Sequence, residues 1–180
     1  MSIVPDPLHP AIVHFPVVLI VLGCAAAWVA VFLRRGNLPW FAAVLLTLGA
    51  AGAWTARETG QSDGGLLDNL SPKMEALLDA HEYWAGKTVL AATVTALLAL
   101  TAAGLSRAPR LARSMAVVAE MTASIAAWTV YETGHRGGAL VFEYGAGVQV
   151  GSSADETGSG DAGQTVSTKA KVESDAGEPD

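Results

Sequence analysis

Four long apolar runs separated by more polar segments make up most of residues 1–150. Each run has about 20 residues, enough for a helix to cross the ~30 Å hydrocarbon core of a bilayer. Because backbone polar groups in lipid must hydrogen-bond within the segment, helices are expected there. The pattern therefore predicts an all-α fold, a bundle of four transmembrane helices with spans at about 11–33, 38–56, 83–105 and 111–131.

Arginines in two short connections predict the orientation of these helices. Arg34 and Arg35 lie between the first two spans, and Arg107, Arg110 and Arg113 lie around the connection between the last two. The positive-inside rule places such connections in the cytoplasm. We therefore expect a multi-pass protein of the cell (inner) membrane, with both termini on the outer, periplasmic side. The short connections make the helices of each pair antiparallel, so the bundle consists of two hairpins.

Negative charge is concentrated at the C-terminal end of the chain. Residues 151–180 contain seven acidic residues and two lysines, so they carry −5 of the net charge of −6. This segment lacks apolar periodicity and is expected to be a disordered acidic tail after a membrane domain of residues 1–150. No basic patch is present for nucleic acid. No hydrolase or kinase motif is present either, and whether the chain is an enzyme is left open.

An eight-residue motif occurs twice, as AWTARETG at residues 53–60 and as AWTVYETG at residues 127–134. Six of the eight positions are identical, and each copy ends the second span of a predicted hairpin. The motif therefore indicates that one hairpin is a parallel duplicate of the other. Its tryptophans are typical of membrane interfaces. Gly60 and Gly134 are expected to cap the two helices in a left-handed conformation.

The four histidines of the chain are all predicted to lie at the outer end of the bundle; they are His9, His14, His81 and His135. Neutral imidazole binds iron, copper and zinc, and paired histidines of bundle helices hold haem b. Pro16 predicts a kink near residue 12 that turns His14 inward. The set therefore indicates a cofactor site for haem b or another transition metal. The alternative is that the imidazoles are solvated or bonded to the backbone, with no cofactor.

Three glutamates are further candidates. Glu58 and Glu132 occupy the same position in the two motifs, so each hairpin offers a histidine and a glutamate to a non-haem metal pair. Their alternative role is that of ordinary residues at a helix end. Glu120 lies inside the fourth span, where a carboxylate is costly unless it is paired or protonated. It is a candidate for a proton relay; otherwise it pairs with Arg113 or stays neutral.

Two segments resemble the signatures of a known membrane family. Residues 8–16 (LHPAIVHFP) and 134–148 (GHRGGALVFEYGAGV) are similar to the opening and closing motifs of the family named domain of unknown function 2231, with mild departures at Phe142 and Ala146. The resemblance implies a four-helix membrane protein. Its relatives joined to cytochrome c-like or Rieske-type domains imply redox work. The glycine-rich closing segment is expected to form a short extended flap over the outer end.

These observations support three hypotheses. The first is an electron-transfer subunit in the lipid bilayer that binds haem b or a metal (iron, copper or zinc) at its outer face. Its partner would be a quinone or a cytochrome c-like or Rieske-type protein. The second is a non-catalytic membrane scaffold or partner subunit. The third is a small transporter or proton path that uses Glu120.

Overall fold

The structure is a computed structural model, and it describes residues 8–33, 36–64, 70–105 and 107–146. The predicted acidic tail lies outside these residues. The described part of the chain forms helices and no strand, which confirms the all-α class. The helices are α1 (His9–Ile12), α2 (His14–Leu33), α3 (Leu38–Gly64), α4 (Pro72–Gly104) and α5 (Pro109–Tyr144).

The first apolar run is interrupted near its start. Proline has no N–H to donate to the helix, and Pro16 lies one turn beyond the point where α1 ends and α2 begins. Only Val13 separates the two helices, and its carbonyl oxygen accepts a 3.4 Å hydrogen bond from the N–H of Val17. The helix is thus interrupted close to the predicted kink near residue 12, while Val13 itself keeps right-handed helical backbone angles.

Helices α4 and α5 are longer than a bilayer requires. Ser71 caps α4 by accepting a 3.3 Å hydrogen bond from the Met74 N–H, and Pro72 occupies the first turn. The helix then continues for 33 residues, and α5 has 36. At 1.5 Å per residue they measure about 50 and 54 Å, so both extend past a hydrocarbon core of about 30 Å.

The ends of α3 and α5 differ from the prediction. Gly60 and Gly134 lie inside these helices, so the predicted glycine caps are wrong at both positions. The expected extended flap is also wrong, because α5 continues to Tyr144. Leu140 is buried there, and its burial continues the apolar stripe of α5. The left-handed cap occurs instead at Gly145, where φ is 68° and the N–H donates to Val141.

Small side chains fill the interfaces between the helices. Helix α2 packs against α3 and α5, α3 packs against α4, and α4 packs against α5. The buried positions recur every three or four residues and are mostly alanines: Ala42, Ala43, Ala50, Ala53 and Ala56 on α3, Ala92, Ala96 and Ala99 on α4, and Ala119, Ala123 and Ala126 on α5. Small residues let helix backbones approach closely, which is how helices associate within membranes.

The closest approach of α2 and α3 depends on glycine. A Cβ atom at Gly49 would lie 2.8 Å from Cγ1 of Ile20, and one at Gly23 would lie 2.9 Å from Leu46. Neither distance is compatible with van der Waals packing. The two glycines therefore allow large side chains from the opposite helix to enter the interface.

Large apolar side chains are exposed on the outer surface of the long helices. Phe15, Phe41, Leu90, Leu97 and Ile125 all expose more than half of their surface. Among the described residues, three helical segments are long and apolar enough to cross a membrane: His9–Leu33, Leu38–Ser62 and Pro72–Gly104. Because small residues face inward and large apolar residues face outward, lipid is the solvent for which this surface is suited.

Candidate functional site

His81 is held by the backbone of the facing helix. Its Nδ1 lies 3.0 Å from the carbonyl oxygen of Thr133 on α5. A carbonyl oxygen only accepts hydrogen bonds, so Nδ1 must carry the proton. When the imidazole is neutral, the lone pair is therefore on Nε2. The half-buried ring is thus fixed in one tautomer, with its other nitrogen in the form that binds metal ions or accepts hydrogen bonds.

His9 is held in a similar way by α3. Its Nδ1 lies 3.3 Å from Oγ1 of Thr59. The Thr59 hydroxyl donates its one proton to the main-chain carbonyls of Thr55 and Ala56, each 3.1 Å away. The hydroxyl oxygen is then the acceptor for His9, whose Nδ1 carries the proton. Thr59 and Thr133 occupy the same position in the repeated motif, so each copy of the motif orients one imidazole.

The two imidazoles lie close together. Their ring centroids are 6.4 Å apart, and their planes are nearly perpendicular at 87°. Both rings line a cavity of about 610 Å³, formed where α1 meets the parts of α3, α4 and α5 at the same end of the helices. We call this the His9–His81 cavity. Its volume is within the usual range for ligand sites, which is roughly 300–1,000 Å³.

Two glycines let the helices approach the imidazoles. A Cβ atom at Gly60 would lie 2.8 Å from Cε1 of His9, and one at Gly137 would lie 3.0 Å from Cε1 of His81. A side chain at Gly60 would therefore displace the His9 ring, and one at Gly137 would require a small shift of the His81 ring. The glycines serve close packing around the cavity, and the left-handed conformation predicted for Gly60 is not needed for this role.

His14 and His135 lie outside the His9–His81 cavity. The side chain of His14 is exposed, and its Nδ1 donates a 2.8 Å hydrogen bond to the Pro10 carbonyl one turn earlier. The kink at Val13 therefore does not turn His14 inward, which corrects that part of the prediction. His135 is also exposed and stacks on Tyr131, with ring centroids 6.1 Å apart. Of the four histidines, the structure brings together His9 and His81.

The two motif glutamates have different surroundings. Glu58 is exposed, while Glu132 forms an ion pair with Arg136 on its own helix. The Arg136 guanidinium also lies over the Trp84 ring, 5.1 Å from its centroid. Within the described ranges, no group of three or more His, Cys, Asp or Glu side chains is placed to hold a metal ion. The non-haem pair with one glutamate from each hairpin stays a prediction.

Glu120 lies in the core, away from the cavity. The side chain is 2% exposed. Its Oε1 accepts a 3.6 Å hydrogen bond from Cys24 on α2, and its Oε2 has no partner among the described residues. Arg113 is exposed, so the proposed Glu120–Arg113 pair is not formed. In the duplicate hairpin the matching position is Leu46, which is equally buried at 2% exposure.

The fold and the cavity can now be compared with known proteins. The family model described as predicted membrane protein (DUF2231) matches residues 5–150. The chain belongs to this family. No curated protein and no solved structure matches it. The resemblance noted in the sequence is thus confirmed, and the DUF2231 domain contains every helix described above.

Both DUF2231 signatures contribute to the same cavity. The opening segment supplies His9 and Pro10, and the closing segment supplies Gly137 and Gly138 from the last part of α5. An interpretation of the motif as an interface anchor with a helix cap overlooks the roles of Thr59 and Thr133. The sequence does contain a signal for this pairing, which is the nearly equal spacing of each histidine from its threonine. Thr59 follows His9 by 50 residues, and Thr133 follows His81 by 52.

Proposed function

We propose that the chain is an electron-transfer subunit of the membrane that binds haem b between His9 and His81. The alternative cofactor is a single transition-metal ion held by the same two imidazoles. The observation that carries the proposal is the pair of neighbouring imidazoles, whose ring centroids are 6.4 Å apart, with both Nδ1 atoms engaged on the protein side. Such an outer contact orients a ligating imidazole and makes it more basic.

The spacing of the rings suits a shared metal ion. A metal–imidazole bond is about 2.0–2.1 Å long, so two rings bound to one ion come about as close as these two do. The rings belong to different helices, α1 and α4, which is the arrangement used for cofactors in helix bundles. His9 and His81 would therefore hold the group in this proposal, and His14 and His135 would not.

The lining of the His9–His81 cavity suits haem. Most of its walls are apolar, including Val89, Val130 and Leu140. Arg57 also lines it, and a guanidinium is a suitable partner for a propionate carboxylate. Bound haem would supply reversible one-electron chemistry, and the residues described here would bind it, orient it and exclude water from its faces.

We also propose the full membrane arrangement. Helix α5 packs along α4 and α2, so it shares their depth in the bilayer and forms the fourth span of a bundle of two duplicated hairpins. With the arginine-containing connections in the cytoplasm, the cavity opens at the outer face of the inner membrane. A quinone in the bilayer, or a cytochrome c-like or Rieske-type protein outside it, is then within reach as redox partner.

The test is the visible spectrum of the full-length protein, purified in detergent after expression with a haem precursor. We expect a Soret band, sharp bands on reduction with dithionite, and one haem per chain. The variants His9→Ala and His81→Ala should each lose at least 90% of the bound haem or metal. The variants His14→Ala and His135→Ala should keep it, because these side chains lie outside the cavity.

Two outcomes would overturn the proposal. The first is wild-type protein that, correctly folded, contains neither haem nor stoichiometric iron, copper or zinc. The second is equal loss of cofactor in all four histidine variants, which would remove the special role of the cavity pair. Either result would favour a non-catalytic membrane scaffold, in which the imidazoles are structural hydrogen-bond donors.

A further inference from the structure

The core between the packed helices contains a carboxyl group that is not part of the His9–His81 cavity. Glu120 is 2% exposed, and its Oε2 has no hydrogen-bond partner among the described residues. Its Oε1 faces Cys24 of α2 at 3.6 Å. The Cys24 thiol lies 3.9 Å from the hydroxyl of Ser124, which itself donates to the main-chain oxygen of Glu120 at 3.1 Å.

The surroundings of this carboxyl are apolar. The core at this level includes Leu46 of α3, Ala99 of α4 and, beside Glu120 on α5, Ala119 and Ala123. The ion pair seen in the described part of the chain, Arg136 with Glu132, is located at the other end of α5. Arg113 is two turns away, about 10 Å along the axis, and is exposed to solvent.

These surroundings decide which chemical form of Glu120 is stable. An ionised carboxylate would be buried without a positive partner, which is energetically unfavourable. A metal ion would need more ligands, and the described residues place only one cysteine and one glutamate here, beside a hydroxyl that already donates elsewhere. A neutral carboxylic acid needs no positive partner and no metal ligands, because Oε1 can accept a hydrogen bond from the thiol and Oε2 can carry the proton.

We propose that Glu120 is an internal proton-binding site of the membrane domain. The proton comes from water and binds Oε2, while the Cys24 S–H donates to Oε1. When the proton is released, it returns to water that has entered the interior of the helix bundle. Glu120 is then a carboxylate with one negative charge. The ligand of this site is therefore a hydrogen ion. The site is independent of any cofactor in the His9–His81 cavity.

Infrared spectroscopy of the full-length protein in lipid vesicles at neutral pH tests the proposal. We expect a carbonyl band of one protonated carboxyl group per chain that disappears in Glu120→Gln. The chain has a single cysteine, so its S–H stretching band has one source. We expect that band at low frequency in the wild type because of the hydrogen bond, and a shift to higher frequency in Glu120→Leu.

The exposed Glu58 provides the matched control, since Glu58→Gln should change neither band. Retention of the full carbonyl band in Glu120→Gln would overturn the proposal. So would an absent S–H band together with a stoichiometric metal that is lost in Cys24→Ser, because that pair of results indicates a thiolate–metal site. Haem content has no part in these measurements, so this proposal and the cofactor proposal can fail separately.

Discussion

His9 and His81 are oriented through the same ring nitrogen but by different acceptors. His9 uses the side-chain oxygen of Thr59, whereas His81 uses the main-chain oxygen of Thr133. A side-chain acceptor can be removed by substitution, and a main-chain acceptor remains whatever the side chain is. The two copies of the motif therefore provide a matched pair of variants.

We predict that Thr59→Val weakens the orientation of the His9 ring while Thr133→Val leaves the His81 hydrogen bond in place. Valine has nearly the volume of threonine but no oxygen, so Nδ1 of His9 loses its acceptor. The His9 hydrogen bond should contribute roughly 0.5–1.5 kcal/mol to the orientation of the ring. Nitrogen NMR of histidine-labelled protein should show a mixture of His9 tautomers in Thr59→Val. An unchanged His9 signal would contradict the assignment of Thr59 as acceptor.

The long helices illustrate which features of the sequence could be interpreted and which could not. Length and hydropathy were sufficient for the positions of the apolar helices, and Pro16 correctly indicated the break before α2. The end of α5 was missed because a Gly-Gly pair in an aqueous segment normally favours a turn. Here Gly137 faces the His81 ring, and close packing of α5 on α4 outweighs the low helix propensity of glycine.

The end of α5 provides a prediction about helix termination. Gly145 has a φ of 68°, and a Cβ atom there would make no contact within 4 Å. Gly145→Ala should therefore destabilise the protein by about 1–2 kcal/mol through backbone strain alone. The control is Gly138→Ala in the same helix, where the nearest atom is Cδ2 of Phe142 at 4.0 Å. That variant should be neutral or stabilising by up to about 1 kcal/mol.

The measurement is the free energy of unfolding in mixed detergent micelles. If Gly145→Ala were as stable as Gly138→Ala, the chain would not end α5 with a left-handed residue. Hydrogen exchange gives a second readout, because amides of residues 134–144 should be protected as a helix. Exchange there at the rate of an unstructured chain would favour the extended flap that the sequence alone suggested.

The candidate site shows where sequence reasoning reached its limit. Histidines were selected because imidazole chemistry can be read from residue type, and this placed His9 and His81 among the candidates. Which two meet depends on helix rotation: His14 is five residues from His9 yet faces outward, bonded to Pro10. Burial of Glu120 followed from its place in an apolar run, but its partner, Cys24, is 96 residues away and could be found only from the packed helices.

Whether the chain crosses the membrane three or four times depends on α5. Among the described residues, three helices are long and apolar enough to cross a membrane, the last being Pro72–Gly104. Packing argues for a fourth, because α5 contacts α2 at Glu120 and α4 at Thr133, two points about 20 Å apart along its axis. In the proposed four-span arrangement, α5 accompanies α2 and α4 over that distance and would itself lie within the bilayer.

Cysteine labelling from each side of the membrane distinguishes three spans from four. In a Cys24→Ser background, Asn37→Cys marks the side of the first connection and Gln61→Cys marks the opposite side, since both positions are exposed. Phe142 is 90% exposed near the end of α5. With four spans, Phe142→Cys reacts with an impermeant maleimide from the same side as Gln61→Cys; with three, it reacts from the side of Asn37→Cys.

Because the first connection also contains Arg34 and Arg35, we expect Asn37→Cys to be labelled only from the cytoplasm. Labelling from outside would invert the topology and place the His9–His81 cavity at the inner face.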